Sequence, residues 1–389
     1  MNANAMAAAA AERADERRLL KESVAAFVER SGGVTRARAM RGRSPGFERA
    51  VWKEFADLGW LAVTLPEQYG GLGLSLAEMA VIAEELGGAL APEPVIEAAT
   101  LAAGVLRHAG GSVADELLPP IAAGEIIPAL AWQEADGNFD PAHVATTAHA
   151  DATGAIRLDG SKSFVPHADA ADGFIVTAKD DNGLALYWIP ADAAGVEIAL
   201  RPLATGAMVG CVRLKQVSVA PTQRIAAGDH ARDALSLAID EATVMASAAL
   251  VGLIGKALEM TLDYIKVRTQ FGKPIGSFQA IQHRAVDLYI QRELAQGALG
   301  DALAAHADDP RSKAALAATS RAKARCSDVA LLICREAVQM HGAIGFTDEY
   351  DLGLYLNRAL VLAAWLGNST QHRRRYAAIG NTSTREASA

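Results

Sequence analysis

The chain begins with segments in which apolar residues recur at helical spacing. Leu20, Val24 and Val28 share one face of the first segment, which ends at the Ser31-Gly32-Gly33 run. These patterns predict a helical domain over residues 12–126, preceded by a short disordered tail at residues 1–11. The predicted helices of this domain are Glu12–Arg30, Phe47–Leu58, Ser75–Gly88, which opens with a capping box, and Ala114–Ala123.

Near Ile127 the spacing of apolar residues changes from helical to alternating, which is typical of half-buried strands. Asn182-Gly183 lies between two such runs, and this dipeptide favours a hairpin turn. The pattern predicts a central antiparallel, barrel-like β-domain over residues 127–230. Its predicted strands are Ile156–Gly160, Gly173–Ala178, Leu184–Ile189, Val196–Leu200 and Cys211–Leu214.

After Ala231 the chain returns to helical spacing, with one long helix that is apolar on several faces. Three further helices are predicted at Ala280–Ala305, Ala314–Met340 and Leu352–Leu366. Long helices with short connections pack as antiparallel bundles, so residues 231–380 predict a C-terminal four-helix bundle, followed by a tail at 381–389. The fold class expected is mostly α with a central antiparallel β-domain.

Composition narrows the possible functions and locations. The 389-residue chain has 51% hydrophobic residues and a formal net charge of -8, which argues against binding to nucleic acid or to an anionic membrane. Its three cysteines are too few for a disulfide framework and indicate a reducing compartment. We found no pattern of metal ligands and no charge-free stretch long enough for membrane insertion, so a cytoplasmic location is expected.

The residues from Arg268 to Gln279 form the most specific motif of the chain. A helix is predicted to end at Gly272, because Pro274 breaks it, and Arg268 beside that end can hydrogen bond a pyrophosphate through several donors. Taken singly, each residue is better explained as part of an ordinary helix C-terminus. The whole string resembles the dinucleotide-binding signature of acyl-CoA dehydrogenases. The resemblance implies that five residues contact FAD: Arg268, Gln270, Phe271, Phe278 and Gln279.

A second motif, Gln339–Thr347, resembles the glycine turn of the same family, which receives the FAD of a neighbouring subunit. Glycines let backbone amides approach phosphate closely, and here Ala343 replaces the second glycine. The resemblance implies FAD contacts at Gln339, Gly342 and Ala343, on an FAD shared between subunits. His341 is better explained as a packed histidine than as a catalyst.

A third segment, Gly160–His167, resembles the family's flavin-side strand, and Trp132-Gln133-Glu134 faintly resembles the loop that precedes it. Phe164 takes the place of the tryptophan that packs against the isoalloxazine. Pro166 takes the place of a threonine that hydrogen bonds the flavin. Since proline has neither a hydroxyl nor an N–H group, one flavin contact of the family is expected to be lost.

The chain departs from the family at the catalytic base. Most members carry a Glu some two dozen residues after the glycine turn, and the aligned residue here is Leu366. Some relatives place the Glu near the start of the long helix, where a gapless count arrives at Ala242. Glu241 is one residue away, which rotates its side chain by about 100° around a helix. Glu241 is therefore either a displaced base or, with Asp240, a cap at a helix N-terminus.

The resemblance covers residues 12–380 and is strongest to the small subunits of heteromeric acyl-CoA dehydrogenases. The pimeloyl-CoA dehydrogenase small subunit and bacterial steroid side-chain dehydrogenases are of this type. It implies α,β-dehydrogenation of an acyl-CoA thioester with FAD, a catalytic partner subunit and electron-transfer flavoprotein as acceptor. Three alternatives stay open: a self-sufficient homomeric enzyme that uses Glu241, a flavin-free structural subunit, and a flavin oxidase or monooxygenase.

Overall fold

A computed structural model describes residues 3–134, 138–141, 143–151, 154–181 and 183–386, with side chains from residue 13 to residue 380. Helices precede and follow a central sheet, which confirms the predicted class. The chain divides into two compact units that are discontinuous in sequence. The first unit comprises Met1–Ala39, Ser75–Ala91 and Val244–Ala389, and the second comprises Met40–Leu74 and Pro92–Thr243.

The N-terminal region is helical, and α4 begins as its sequence predicts. The Ser75 hydroxyl accepts the Ala77 amide at 3.1 Å, and the Glu78 carboxylate accepts the Ser75 amide at 3.0 Å. The predicted tail at residues 1–11 is wrong from Ala3 onward, because this alanine-rich run has high helix propensity and extends α1. The helices are α1 Ala3–Ser31, α2 Gly33–Met40, α3 Arg49–Asp57, α4 Leu76–Gly88, α5 Ala103–Ala109, which follows a π-helical segment Val95–Ala102, and α6 Gly111–Ala122.

The central sheet is mixed, which corrects the prediction of a wholly antiparallel one. Strands β1 and β2 each pair with β4 in parallel, whereas the remaining pairs are antiparallel. Asp180 pairs with Gly183 across the predicted hairpin, and Asn182 lies outside the described residues. The strands are β1 Pro128–Ala131, β2 Thr147–Ala150, β3 Ile156–Pro166, β4 Gly173–Asp180, β5 Gly183–Pro190, β6 Val196–Pro202, β7 Met208–Val219 and β8 Arg224–Ala227.

The C-terminal region contains one more helix than the pattern predicts. Helix α9 packs against α8, α10 and α11, and the last of these occupies most of the region beyond residue 366, including part of the predicted 381–389 tail. Helix α7 ends five residues before the predicted Gly272, because a two-residue hairpin begins at Thr269. The elements are α7 Gly228–Val267, β9 Thr269–Gln270, β10 Lys273–Pro274, α8 Gln279–Asp308, α9 Lys313–His341, α10 Leu352–Ala364 and α11 Ser369–Glu386.

Glycines bring α4 and α7 into backbone contact within the first unit. A Cβ on Gly252 would lie 1.8 Å from the carbonyl oxygen of Glu84, and one on Gly87 would lie 2.4 Å from that of Ala249. No side chain fits at either position, so these glycines fix how closely the two helices approach.

Two segments are long and apolar enough to cross a membrane by composition alone, Gly228–Val267 and Lys313–Phe346. Their most apolar windows are 89% and 50% buried within the protein. Such burial is typical of the core helices of a bundle, and the absence of membrane insertion stays a prediction.

Candidate functional site

The end of α7 places Arg268 beside a tight hairpin. The Ile275 amide donates to the Arg268 carbonyl at 2.8 Å, and Gln270 pairs with Lys273 across the hairpin. A Cβ on Gly276 would lie 2.9 Å from the Ile265 carbonyl oxygen, so glycine lets the chain fold back against α7. The Arg268 side chain is exposed, and within the described residues it has no hydrogen bond or ion pair. A charged group held in this way is available to an external anion.

Phe271 projects from the tip of this hairpin, and 93% of its surface is exposed. Its φ is +52°, a conformation that a bulky residue rarely adopts. Its ring meets Phe278 edge to face with centroids 6.2 Å apart, and the Lys273 ammonium lies 4.4 Å from the Phe278 ring. An exposed aromatic ring on a strained turn, backed by a second and partly buried ring, is suited to covering a flat ligand or a partner surface.

The glycine turn begins where α9 ends, at His341, and Gly342 has a φ of +66°. Gln339, Gly342 and Ala343 are exposed, as contacts to an external group require. The Tyr264 hydroxyl of α7 donates to the His341 carbonyl at 3.2 Å. This hydrogen bond joins α7, which ends just before the first motif, to the start of the glycine turn.

His341 itself is a packed side chain, as its sequence context suggests. Its ring stacks on Tyr264 with centroids 4.2 Å apart, and Nδ1 lies 2.7 Å from the Ala337 carbonyl. The other ring nitrogen, Nε2, lies 3.0 Å from the Tyr350 hydroxyl. Burial lowers the pKa of His341, so the neutral ring donates to the Ala337 carbonyl and accepts from the Tyr350 hydroxyl.

In the second unit, Phe164 lies at a bulge in β3. The register between β3 and β7 shifts between Lys162 and Val165, Phe164 has a φ of +54°, and its side chain is 55% exposed. The Ser163 amide donates to the Gln133 carbonyl at 2.8 Å, which joins the bulge to the Trp132–Glu134 loop. The bulge thus turns an aromatic ring outward, as a flavin wall requires. Pro166, opposite Val209 at the end of β3, has no group that could replace the missing threonine hydroxyl.

A buried ion pair supports this bulge, and the motif comparison did not identify its role. Lys162 is fully buried, and its ammonium donates to Glu134 at 2.7 Å and to Thr177 at 2.9 Å. Burial by itself would raise the pKa of Glu134, but hydrogen bonds from Lys162 and from the Thr146 and Ala145 amides lower it to about 2. Burial lowers the pKa of Lys162 to about 8, against the opposing effect of Glu134. A lysine at an inward-facing strand position is the signal that could have identified this pair.

Glu241 lies well inside α7, which begins at Gly228, so the interpretation of Asp240 and Glu241 as an N-terminal cap is wrong. Its carboxylate is buried and forms an ion pair with Arg107, and its other oxygen lies 3.0 Å from Nε2 of His108. Arg107 also donates to the Thr64 carbonyl at 2.9 Å. Both carboxylate oxygens of Glu241 are therefore engaged by side chains of α5.

Leu366 lies in the turn between α10 and α11 with a φ of +57°, and only 4% of its surface is exposed. The ring of His372 donates from Nε2 to the Leu366 carbonyl at 2.8 Å. An aliphatic side chain cannot accept a proton, so this turn holds no base. Within the described part of the chain there is also no cluster of three or more potential metal ligands.

The residues that match the FAD motifs fit the cofactor in most respects. In the first unit, the Arg268 guanidinium, which has no partner within the described residues, suits a pyrophosphate, and the glycine turn suits a close backbone approach. In the second unit, the exposed Phe164 ring suits a flat heterocycle. Pro166 is the exception.

Sequence profiles of two known domains match this chain: "Acyl-CoA dehydrogenase, N-terminal domain" over residues 14–125 and "Acyl-CoA dehydrogenase, C-terminal domain" over residues 233–379. The chain belongs to the acyl-CoA dehydrogenase family. This is an FAD-binding oxidoreductase family. The acyl-CoA dehydrogenase IpdE2 of Mycolicibacterium smegmatis is 33% identical over 93% of this chain and 97% of its own length. IpdE2 of Mycobacterium tuberculosis is 30% identical over 89% of this chain and 91% of its own length.

Solved structures similar to this acyl-CoA dehydrogenase family member include one complex of two named proteins. A variant of the steroid acyl-CoA dehydrogenase Tcur3481–Tcur3483 aligns with a TM-score of 0.85 and 27% identity, over 95% of this chain and 99% of the other. The ChsE4–ChsE5 complex of Mycobacterium tuberculosis aligns with a TM-score of 0.83 and 26% identity, over 92% and 95% of the two chains. Butyryl-CoA dehydrogenase of Megasphaera elsdenii, at 21% identity and a TM-score of 0.85 over 93% and 97%, shares the fold.

Proposed function

We propose that this chain is the subunit of a heteromeric acyl-CoA dehydrogenase that completes the FAD site, while a partner chain supplies the catalytic base. The main support for this proposal is that neither candidate base position offers a free carboxylate. Leu366 is aliphatic, and Glu241 forms an ion pair with Arg107. The α-proton of an acyl thioester needs a base within hydrogen-bond reach.

The condition of Glu241 argues against the self-sufficient, homomeric alternative. To accept a proton, the carboxylate would have to leave Arg107 and His108, and breaking a buried ion pair costs about 3–5 kcal/mol. The Arg107 guanidinium is held in turn by the Thr64 carbonyl, so the pair is anchored on both sides. Glu241 is better explained as a structural link between α5 and α7.

The role of this chain's own residues follows from their exposure. In the first unit, Arg268 and the backbone around Gly342 hold the anionic part of FAD, and the exposed Phe271 ring, packed against Phe278, covers it. In the second unit, the exposed Phe164 ring forms a wall for a ring system. Gln270, Gln279 and Gln339 supply further hydrogen bonds. Bound FAD supplies the acceptor for the hydride that leaves the β-carbon of the acyl group.

The substrate class proposed is an acyl-CoA thioester whose acyl group is borne on a steroid-like ring system. It is supported by the likeness to the steroid acyl-CoA dehydrogenase Tcur3481–Tcur3483. We further propose electron-transfer flavoprotein as the acceptor and the cytoplasm as the location.

Association with another chain is supported by an exposed apolar stripe along α8. Four large apolar side chains at helical spacing share this stripe, and each has about half of its surface exposed. A flavin site built from two chains also requires association. The stripe consists of Val286, Tyr289, Ile290 and Leu294.

The flavin-free alternative is favoured by one observation, the absence of a flavin hydrogen bond at Pro166. The visible absorption of the pure chain and of its complex with a co-expressed, acyl-CoA dehydrogenase-like partner distinguishes the two. We expect flavin in the complex and turnover of acyl-CoA esters only there. A colourless but active complex would require another explanation, and a chain that turns over substrate alone would contradict the proposal.

A further inference from the structure

Lys323 of α9 is a fully buried lysine whose four polar contacts are all to neutral groups. Its ammonium donates to the Leu362 carbonyl at 2.8 Å and to the Gly367 carbonyl at 3.1 Å. The Ser327 hydroxyl lies at 3.2 Å and the Ala363 carbonyl at 3.3 Å. A buried ammonium is unfavourable unless its hydrogen bonds are satisfied, and these acceptors satisfy it.

What Lys323 holds is the C-terminal end of α10. Carbonyls in the last turn of a helix have no partner within the helix, and the helix dipole places partial negative charge there. The ammonium therefore caps α10 from a neighbouring helix. Burial lowers the pKa of Lys323 to about 7, whereas these carbonyls favour its charged form.

The turn that follows α10 is held from the opposite side by α11. His372 donates to the Leu366 carbonyl at 2.8 Å, and a Cβ on Gly367 would lie 2.9 Å from the same ring nitrogen, so only glycine fits there. The Asn368 amide donates to the Gln371 side chain at 2.8 Å, and the Gln371 amide returns a bond of 3.0 Å to Asn368. This reciprocal pair fixes the start of α11.

We propose that Lys323 is a positioning residue that fixes the turn at Trp365–Asn368 in one conformation, with His372 as the second anchor. Leu366 adopts a left-handed conformation that a non-glycine residue keeps only when its surroundings determine it. If the proposed function is correct, this turn forms part of the wall that meets the acyl group, so Lys323 sets the shape of that wall without touching substrate.

The test is hydrogen exchange, followed by mass spectrometry, on the full-length flavin-loaded chain. Lys323→Met keeps an apolar side chain of similar length but removes every donor. We expect peptides covering residues 362–372 to lose about tenfold or more of their protection, while peptides of β4 keep theirs. The matched control, Lys256→Met, removes an exposed lysine of α7 and should change neither. Unchanged protection, or a loss spread evenly over the chain, would overturn the proposal.

Ser327→Ala covers the case in which Lys323→Met does not fold. This variant keeps the lysine and removes one of its four acceptors, so we expect a smaller loss of protection that is confined to residues 362–372. Protection equal to that of the wild-type protein in these peptides would overturn the proposal. In the active complex, Lys323→Met should raise the KM for acyl-CoA without loss of flavin. An unchanged KM would remove the substrate-wall role. The exchange result does not depend on substrate, so it stands even if the complex proves inactive and the proposed function fails.

Discussion

The residues that match the family's FAD motifs and the two positions considered for the base differ in their surroundings. Arg268 and Phe271 are exposed, and the Arg268 guanidinium has no partner within the described residues. Glu241 and Leu366 are buried, the first in an ion pair and the second in a clamped turn. The side chains expected to bind a ligand are exposed to solvent, whereas the buried side chains have their contacts within the protein. The difference supports the proposal that this chain binds FAD and that another chain removes the α-proton.

The largest change in activity is expected when a carboxylate is placed in the turn at Leu366. In the isolated, flavin-loaded chain, Leu366→Glu restores the family's residue, and a positioned general base contributes about a hundredfold to ten-thousandfold to rate. We therefore expect turnover of acyl-CoA esters with an artificial acceptor to rise well above that of Leu366→Gln, the matched control. Equal rates for the two variants would mean that this turn does not face the substrate.

Removing the buried pair beneath Phe164 should have the next largest effect. Lys162→Met leaves the partly buried Glu134 without its cation, and loss of a hydrogen bond to a charged group costs about 1.5–3 kcal/mol in the free energy of unfolding. Urea denaturation measures this loss. Lys179→Met in β4 is a suitable control, because that lysine is exposed. An unfolding free energy equal to that of the control would contradict a supporting role for the pair.

The same pair predicts an acid-sensitive contribution to stability. The pKa of Glu134 in the folded protein, about 2, lies below its unfolded value of about 4.3. Its contribution is therefore complete above the unfolded pKa and is lost as the pH falls from about 4.3 towards 2. The wild-type protein should lose more unfolding free energy over this window than Glu134→Gln does. Parallel pH profiles for the two proteins would exclude the assignment.

Removing the Arg268 side chain tests whether this exposed residue binds FAD. A hydrogen bond to a charged group is worth about 1.5–3 kcal/mol, so Arg268→Ala should weaken FAD binding by roughly tenfold or more. Arg232→Ala, which removes an exposed arginine near the start of α7, should leave the flavin content unchanged. Ultrafiltration and absorbance at the flavin band measure the retained FAD. Full retention in Arg268→Ala would remove this residue from the site.

His341 should give the smallest effect on the flavin, because its polar atoms are satisfied within the protein. We expect His341→Gln to retain FAD and to lose stability. Burial lowers the pKa of His341 below its unfolded value, so protonation opposes folding and the wild-type protein should lose stability as the pH falls below about 6.5. This slope should be smaller in the variant, in which only the other buried histidine of lowered pKa, His372, contributes to it. Loss of FAD without loss of stability would show a direct flavin contact instead.

The sequence predicts those parts of the fold that depend on local pattern. Helix α4 begins with its predicted capping box, and β4 and β5 form where alternation predicts a hairpin. The parallel pairing of β1 with β4 has no such signal, because it joins residues far apart in the chain. Helix α11 was missed because Arg373–Arg375 disrupts the apolar spacing that predicts a buried helix face.

The candidate site was predictable in its residues but not in their surroundings. The motif string predicts Arg268 and Phe271, but not the left-handed backbone at Phe271, which depends on the hairpin closing behind it. Nor could a gapless count reveal the ion pair between Glu241 and Arg107, because the two residues belong to different helices. Lys323 gave a signal in retrospect, since it shares the buried face of α9 with Cys326 and Ala330.

Steady-state turnover is the most direct measure of whether this chain has a working catalytic base of its own. The flavin-loaded chain is assayed with acyl-CoA esters, alone and with its partner, in the wild-type form and as Glu241→Gln, which keeps the side-chain size but removes the charge. We expect no turnover by the chain alone, and we expect turnover by the complexes that contain either the wild-type chain or Glu241→Gln. If the wild-type chain alone turns over substrate and Glu241→Gln abolishes this activity, Glu241 is the base. That result would contradict the proposal that a partner chain supplies it.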